Sequence, residues 1–263
     1  MRRSGSRAMT FDVTRVAIWV EGVGDLAGWS HGVRDDSLRM PAAALFGARS
    51  GRRASQLMRM SGELFERVTE PYQRSCVMSI FATEHGEAKT LGTMLDSVWK
   101  REEVSPALFC QSVYNAGSGF VSQIVENRSF TTTISAGTST CAMGIAEALA
   151  LLAVGAPEVV LVVADESASV PLQHAESRFS GEGAAFVLRT HSVESPCLAT
   201  FGPLRRAIAG DVLPSPARSR NPATWAVDWA VRVTRACSNP VVVGEDESGI
   251  WCIDPCPSEG ART

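Results

Sequence analysis

The run Ser135-Ala136-Gly137-Thr138-Ser139-Thr140-Cys141 places hydroxyls and one thiol at a sharp turn between a β-branched segment and a long apolar one. A side chain at such a strand-to-helix turn sits at the positive end of the helix dipole, which stabilises a thiolate. Free backbone N–H groups at the same place stabilise an oxyanion, so the position suits acyl-transfer chemistry. Thr138 would need an adjacent general base to attack, because its hydroxyl has no thiolate-like state near neutral pH. Its plainer role is to cap the helix with its side-chain oxygen. Cys141 lies about one turn deeper. It is either a displaced nucleophile or a small apolar core residue, as free cysteines usually are.

Other residues invite the same weighing. Asp165 and Glu166 follow VVLVVA, at the carboxyl end of a strand, where ligands gather in α/β sheets. They read as a paired acid/base site or as hydrogen-bonding groups for nearby loops. His85 in TEHGE reads as an exposed loop histidine beside two carboxylates. The glycine turn EGVGDLAG lacks the helix and the acidic residue about 20 positions on that a dinucleotide site requires, so it reads as a plain turn leading into a loop. Cys252 and Cys256 form a lone C-x3-C, whereas zinc normally takes four ligands; neither metal nor cofactor is expected.

The elements that must position these groups follow from periodicity. Thr14 to Val20 and Ser75 to Phe81 read as buried strands. Arg53 to Arg67 has helical spacing at Leu57, Met60, Leu64 and Phe65, and Leu91 to Trp99 is a second helix. Ser105 to Asn115 crosses to a further helix with Gly117 and Gly119 near its start. Phe130 to Ser135 is a short strand, and Thr138 to Val154 a helix whose single charge, Glu147, implies burial on every side. VVLVVA completes a right-handed strand–helix–strand crossover in a parallel sheet. GEGAAFVL, within 181–188, reads as the last strand. Beyond Thr190, Pro, Ser and Arg accumulate, one helix spans Trp225 to Ala236 with Asp228, Arg232 and Arg235 outward, and DPCPSEGART looks frayed.

The 263 residues suit one generous domain or two small ones, and a composition 45% hydrophobic and 20% charged is that of a globular chain. A net charge of -3 argues against nucleic acid or an anionic membrane surface as partner, and no apolar run approaches a bilayer span. Seven scattered cysteines favour a reducing cytoplasm over a disulfide framework. MRRSGSRAMT lacks the apolar stretch of a secretion signal, so residues 1–12 read as a loose arm.

Several segments in order resemble the N-terminal half of the β-ketoacyl synthases, in the thiolase-like superfamily. SPALFCQSVYNAGSG is similar to a synthase stretch, and TTTISAGTSTCAMGIAEAL to the strand, elbow and buried helix around the catalytic cysteine. GAPEVVLVVADES and GEGAAFVL resemble the two strands that follow. The resemblance covers roughly Val16 to Leu188 and implies an α/β, thiolase-like αβα layered fold, essentially its N-terminal half (13–190), with a divergent tail (191–263) carrying one helix.

The synthase cysteine stands at the spacing that separates Thr138 from Gly155, so the resemblance puts a threonine in the nucleophile's slot. The paired histidines and glycine-rich loop of the condensing enzymes belong to the second half of the duplicated fold. The four histidines here, His31, His85, His174 and His191, stand in no such motif. The resemblance therefore implies a chain-length-factor-type subunit, similar to the short forms of aryl-polyene-type systems. It would pair with a full-length β-ketoacyl synthase as a heterodimer, with an acyl carrier protein as a further partner. No catalytic residue is expected. Thr131, Thr132, Thr133, Ile134 and Ser135 would pair across the dimer axis, with Phe109, Tyr114 and Asn115 beside them. Tyr114, Phe120, Thr138 and Met143 would line the acyl tunnel. Two other readings stay open: an acyltransferase or condensing enzyme using Cys141, and a structural homodimer.

Overall fold

The computed structural model describes residues 10–42, 44–167, 179–213, 221–235 and 237–257. Its elements run β1 (Phe11–Val20), α1 (Leu26–His31), α2 (Gly47–Gly51), α3 (Gln56–Val68), β2 (Met78–Ala82), α4 (Ala88–Trp99), α5 (Pro106–Gln111), α6 (Ala116–Ile124) and β3 (Thr131–Ile134). They continue with α7 (Thr140–Ala153), β4 (Val159–Asp165), β5 (Glu182–Thr190), β6 (Ala199–Phe201), β7 (Arg205–Arg206), α8 (Thr224–Val233), β8 (Val241–Asp246) and β9 (Gly249–Ile253).

Six strands form one sheet in the order β3-β2-β4-β5-β1-β6. β2 runs parallel to both β3 and β4, so the α7 crossover steps over β2. The pairings β4–β5, β5–β1 and β1–β6 are antiparallel. Alternation along each strand feeds two cores. Val159, Leu161 and Val163 of β4 face α7 and α8, while Val160, Val162 and Ala164 face α3. β1 changes parity midway. Phe11 and Val13 point to the α7 side, a register shift follows, and Ile18 and Val20 then point the same way. One extra residue at a bulge moves every later side chain to the other face, which here keeps a ten-residue strand buried at both ends.

Four expectations need correction. First, α1 lies in the stretch expected to be a loop. Asp25 accepts the Gly28 N–H at 2.8 Å as its N-cap, and Gly32 closes it with φ +63°. Its six residues bury nothing, so no apolar period announced it. Second, α7 is not buried all round: Cys141, Ala142, Ile145, Ala148 and Leu152 face the sheet, but Ala150 and Ala153 are exposed. Alanine loses little by facing water, so an uncharged helix is not proof of a double cover. Third, the arm does not reach residue 12, since Phe11 and Asp12 belong to β1. Asp12 is fully buried and accepts from His191 Nδ1 and Thr200 Oγ1, each at 2.7 Å. Residues 1–9 and His174 lie outside the described residues.

Fourth, β5 is not the last strand. β6 extends the main sheet, and β7-β9-β8 form a second, three-stranded one. Residues 254–257 are held rather than frayed. Arg205 donates to both oxygens of Asp254 at 2.6 Å, and the Cys256 N–H donates to the Thr200 carbonyl at 2.8 Å.

α8 fastens this second region to the first. Trp229 is fully buried, stacked on Phe186 at 3.9 Å between ring centroids and edge-on to Phe11 and Phe201. A buried aromatic of this size carries several kcal/mol of burial and ring contact. Trp229→Ala is expected to destabilise the fold by about 3–5 kcal/mol, read as a lower urea midpoint. A loss under about 1 kcal/mol would mean that α8 docks weakly.

Candidate functional site

β3 ends at Ile134 and the chain turns through Gly137, whose φ of +56° is left-handed and favours glycine. Thr140 pins this elbow: its hydroxyl donates to the Gly137 carbonyl at 2.7 Å and accepts the Ala136 N–H at 3.0 Å. Thr138 does not cap the helix. The N-cap is Ser139, which makes no side-chain capping bond. The hydroxyls of Thr138 and Ser139 both turn away from the helix and donate to the main-chain carbonyl of Glu245 in β8. A carbonyl brought in by the tail has displaced the local amide as partner.

This contact requires close approach. β8 bulges between Val242 and Gly244. A Cβ at Gly244 would lie 3.2 Å from Ser139 Cα and from the Thr138 carbonyl oxygen. Asp246 lies 3.1 Å from the Ser139 hydroxyl and shares that hydroxyl's single proton with the Glu245 carbonyl. It also accepts the Trp251 indole N–H at 3.0 Å, while the Arg206 guanidinium grips both its oxygens at 2.8 Å. Arg206, stacked 3.7 Å over the Trp251 ring, holds the Asp246 carboxyl far below the usual carboxylate range.

Cys141 is 1% exposed, and burial pushes its thiol well above the usual cysteine value. The helix dipole favours a thiolate here, but desolvation wins, so the structure offers no accessible sulfur for the displaced-nucleophile reading. Thr138 itself is exposed.

β3 lies at the edge of the sheet. The carbonyls of Phe130 and Ile134 accept from β2 and its extension, so alternation turns the peptide groups of Thr131 and Thr133 outward. Beside this edge runs a groove of ≈ 580 Å³ between β3 and α6, lined by Tyr114, Asn115, Ser118 and Thr131 to Thr133. Tyr114 is half-exposed, and Phe109 is 61% exposed on α5.

α4 adds a feature that the sequence reading missed. Only Ala88 of its twelve residues is buried, and Leu91, Leu95, Val98 and Trp99 are all exposed. That spacing is what a core-facing stripe also shows, so nothing in the sequence distinguishes an outward apolar face from an inward one.

The four tunnel residues are not brought together. Phe120 packs edge-on against Phe46 at 4.9 Å on the α3 side of the sheet. Met143 packs on the opposite, α7 side. Tyr114 and Thr138 alone remain on the exposed β3 and elbow surface.

The carboxylates after β4 hold loops. Asp165 accepts the Thr83 hydroxyl at 2.8 Å and the N–H groups of Glu84 and His85 at 3.0 Å. Glu166 accepts the Lys89 N–H at 2.8 Å, anchoring the start of α4. Burial raises both carboxyls. His85 is half-buried rather than exposed, stacked on Phe179. Glu87, which the sequence did not single out, is 1% exposed and accepts the Ser55 hydroxyl at 2.8 Å. Burial, aided by neighbouring Glu166 against the Ser55 bond, lifts it to about 7. Among the described residues no group of His, Cys, Asp or Glu is placed to hold a metal ion, and no helix is long and apolar enough to cross a membrane.

The model of the β-ketoacyl synthase N-terminal domain matches residues 28–239. The chain belongs to that family. No curated protein matches this ketosynthase-like chain in sequence. Among solved structures it is similar to a chain of the ketosynthase (ApeO) in complex with its chain length factor (ApeC) from Xenorhabdus doucetiae, at TM-score 0.71 and 18% identity. The match covers 94% of this chain and 99% of that one. The ishigamide ketosynthase/chain length factor follows at TM-score 0.67 and 13% identity, covering 94% and 98%. A β-ketoacyl synthase from Burkholderia phymatum STM815 gives TM-score 0.56 and 13% identity, with 86% and 71% covered. The fold is thus the thiolase-like layered fold of the ketosynthases, about its N-terminal half.

Glu87 makes stability depend on pH. Its folded value of about 7 lies above the ordinary 4.5, so the stability tied to its protonated form is complete below 4.5 and is lost as pH rises towards 7. Glu87→Gln keeps the acceptor and removes the titration. Urea denaturation should show the wild type losing about 3 kcal/mol relative to the variant between pH 4.5 and pH 8. Parallel pH profiles would show that Glu87 ionises freely in the folded state.

Proposed function

We propose that this chain is a non-catalytic, chain-length-factor-type subunit that pairs with a full-length β-ketoacyl synthase, in an aryl-polyene-type or related polyketide or fatty-acid-like system. One observation carries the reading. The residue in the nucleophile's place is a threonine whose hydroxyl is already donated to Glu245, while the cysteine one turn deeper is sealed in the core. Condensation needs an attacking sulfur and donors fixed for the enolate, and the elbow supplies neither a thiolate nor a histidine pair. The two solved chains that this one spans almost end to end come from ketosynthase/chain length factor structures, which agrees with a short subunit of that kind.

The pairing surface is the outer edge of β3. An unpaired edge strand of threonine and isoleucine invites another strand, and β-addition across a two-fold axis would satisfy the outward groups of Thr131 and Thr133. The exposed stripe of α4 and Phe109 of α5 supply apolar area to the same association. With the synthase in place, Tyr114 and Thr138 would wall its acyl tunnel on this side, and the acyl carrier protein would be met through the synthase.

Co-expression with a ketosynthase encoded beside the gene should yield a 1:1 complex on size exclusion. Thr133→Pro removes an outward N–H without touching the ladder to β2 and should weaken that complex more than about tenfold while leaving the lone chain folded. Should the purified lone chain take up an acyl group and elongate malonyl units, it is an enzyme and the proposal fails. A stable homodimer that ignores the ketosynthase would favour the structural reading.

A further inference from the structure

Partly buried arginines in this chain almost all spend their guanidinium groups. Arg15, Arg59 and Arg74 donate to carbonyls or side-chain oxygens of the α3 region, and Arg189, Arg205 and Arg206 to groups of the tail. Arg232 is the exception. It is half-buried near the end of α8, and among the described residues it makes no hydrogen bond and no ion pair. A guanidinium with no acceptor of its own is free to fork onto the oxygens of an anion.

Arg232 lines a cleft of ≈ 510 Å³ between α1 and the last turn of α8. Arg235, one turn on, lines it too and likewise has no bonded partner among the described residues. Trp29 of α1 forms part of the opposite wall, and Ser238 and Asn239 complete the rim with neutral donors. This composition combines two forked cations, an indole face and two small donors. Asp228 stands one turn before Arg232 and is the one carboxylate in the lining. Burial raises its carboxyl and Arg232 opposes this, but the two form no ion pair. It weakens the positive field of the cleft without cancelling two guanidinium charges. α8 turns its buried side, with Trp229, towards the sheet, so the arginines face out by construction.

We propose that this cleft binds an organic anion with a flat, unsaturated or aromatic body and a carboxylate or phosphate head. The head would bridge Arg232 and Arg235, and the body would lie along Trp29. Guanidinium forks match both head groups bidentately, and the indole suits a planar apolar body. This inference is independent of pairing with a ketosynthase, because β3 and α4 take no part in the cleft.

The test uses the full lone chain, with phenyl phosphate, benzoate and inorganic phosphate as probes in isothermal titration. Saturable binding of phenyl phosphate or benzoate is expected, tighter than inorganic phosphate. Arg232→Gln should weaken it about tenfold and Trp29→Ala by a smaller factor, with unchanged melting temperature. Asp228→Asn should tighten it, which a cation site would not show. Arg101→Gln, a change at an exposed arginine away from the cleft, should leave it unaltered. Absence of saturation up to about 10 mM for both aromatic probes would overturn the proposal, since such an affinity is too weak for a built site. Equal binding by Arg232→Gln and wild type would overturn it as well.

Discussion

One carbonyl oxygen ties the end of this chain to its middle. Glu245 O accepts two hydroxyls from the elbow before α7, and the bulged, side-chain-free Gly244 lets the backbone come near enough for both. Hydrogen bonds of this kind are worth roughly 1 kcal/mol each, yet their placement matters more than their sum. They commit the Thr138 hydroxyl to a structural role. They also seat the hairpin that Arg206, Asp246 and Trp251 brace from behind. The elbow is thereby bonded to a strand that the chain adds about a hundred residues later.

Beside the elbow, at the same carboxyl end of the parallel strands β2, β3 and β4, a different rule holds. Asp165, Glu166 and Glu87 are buried carboxylates that fix the loop after β2 and the start of α4. Each is held by hydroxyl or amide donors, and among the described residues the one ammonium nearby, that of Lys89, stands 3.9 Å from Glu166. Neutral donors satisfy lone pairs but do not neutralise charge, so burial raises all three carboxyls above their ordinary values. The same cluster roots α4, the helix whose apolar face looks outward. Stability at its base therefore varies with pH, while its apolar stripe stays exposed.

Much of this arrangement was legible from residue order alone. The strand–elbow–helix–strand unit and the buried runs of β4 and β5 follow from local composition and spacing, because period-two and helical patterns report which face a side chain takes. α1 was missed although its caps, Asp25 and Gly32, stood in plain sight, since a six-residue helix that buries nothing has no apolar period. The outward face of α4 has a deeper reason for being illegible: an apolar stripe left exposed and one turned to the core are the same sequence pattern.

The chain by itself determined its family, its central unit and the absence of a sulfur at the elbow, all of which are properties of residue type at a fixed separation. Only the tertiary structure decided that Thr138 bonds to Glu245, that Cys141 is sealed, and that Phe120 and Met143 lie on opposite faces of the sheet. It also decided that the region beyond Thr190 is a packed layer with its own sheet. Those outcomes depend on contacts between residues about a hundred positions apart, and no local pattern encodes which distant carbonyl or ring will arrive.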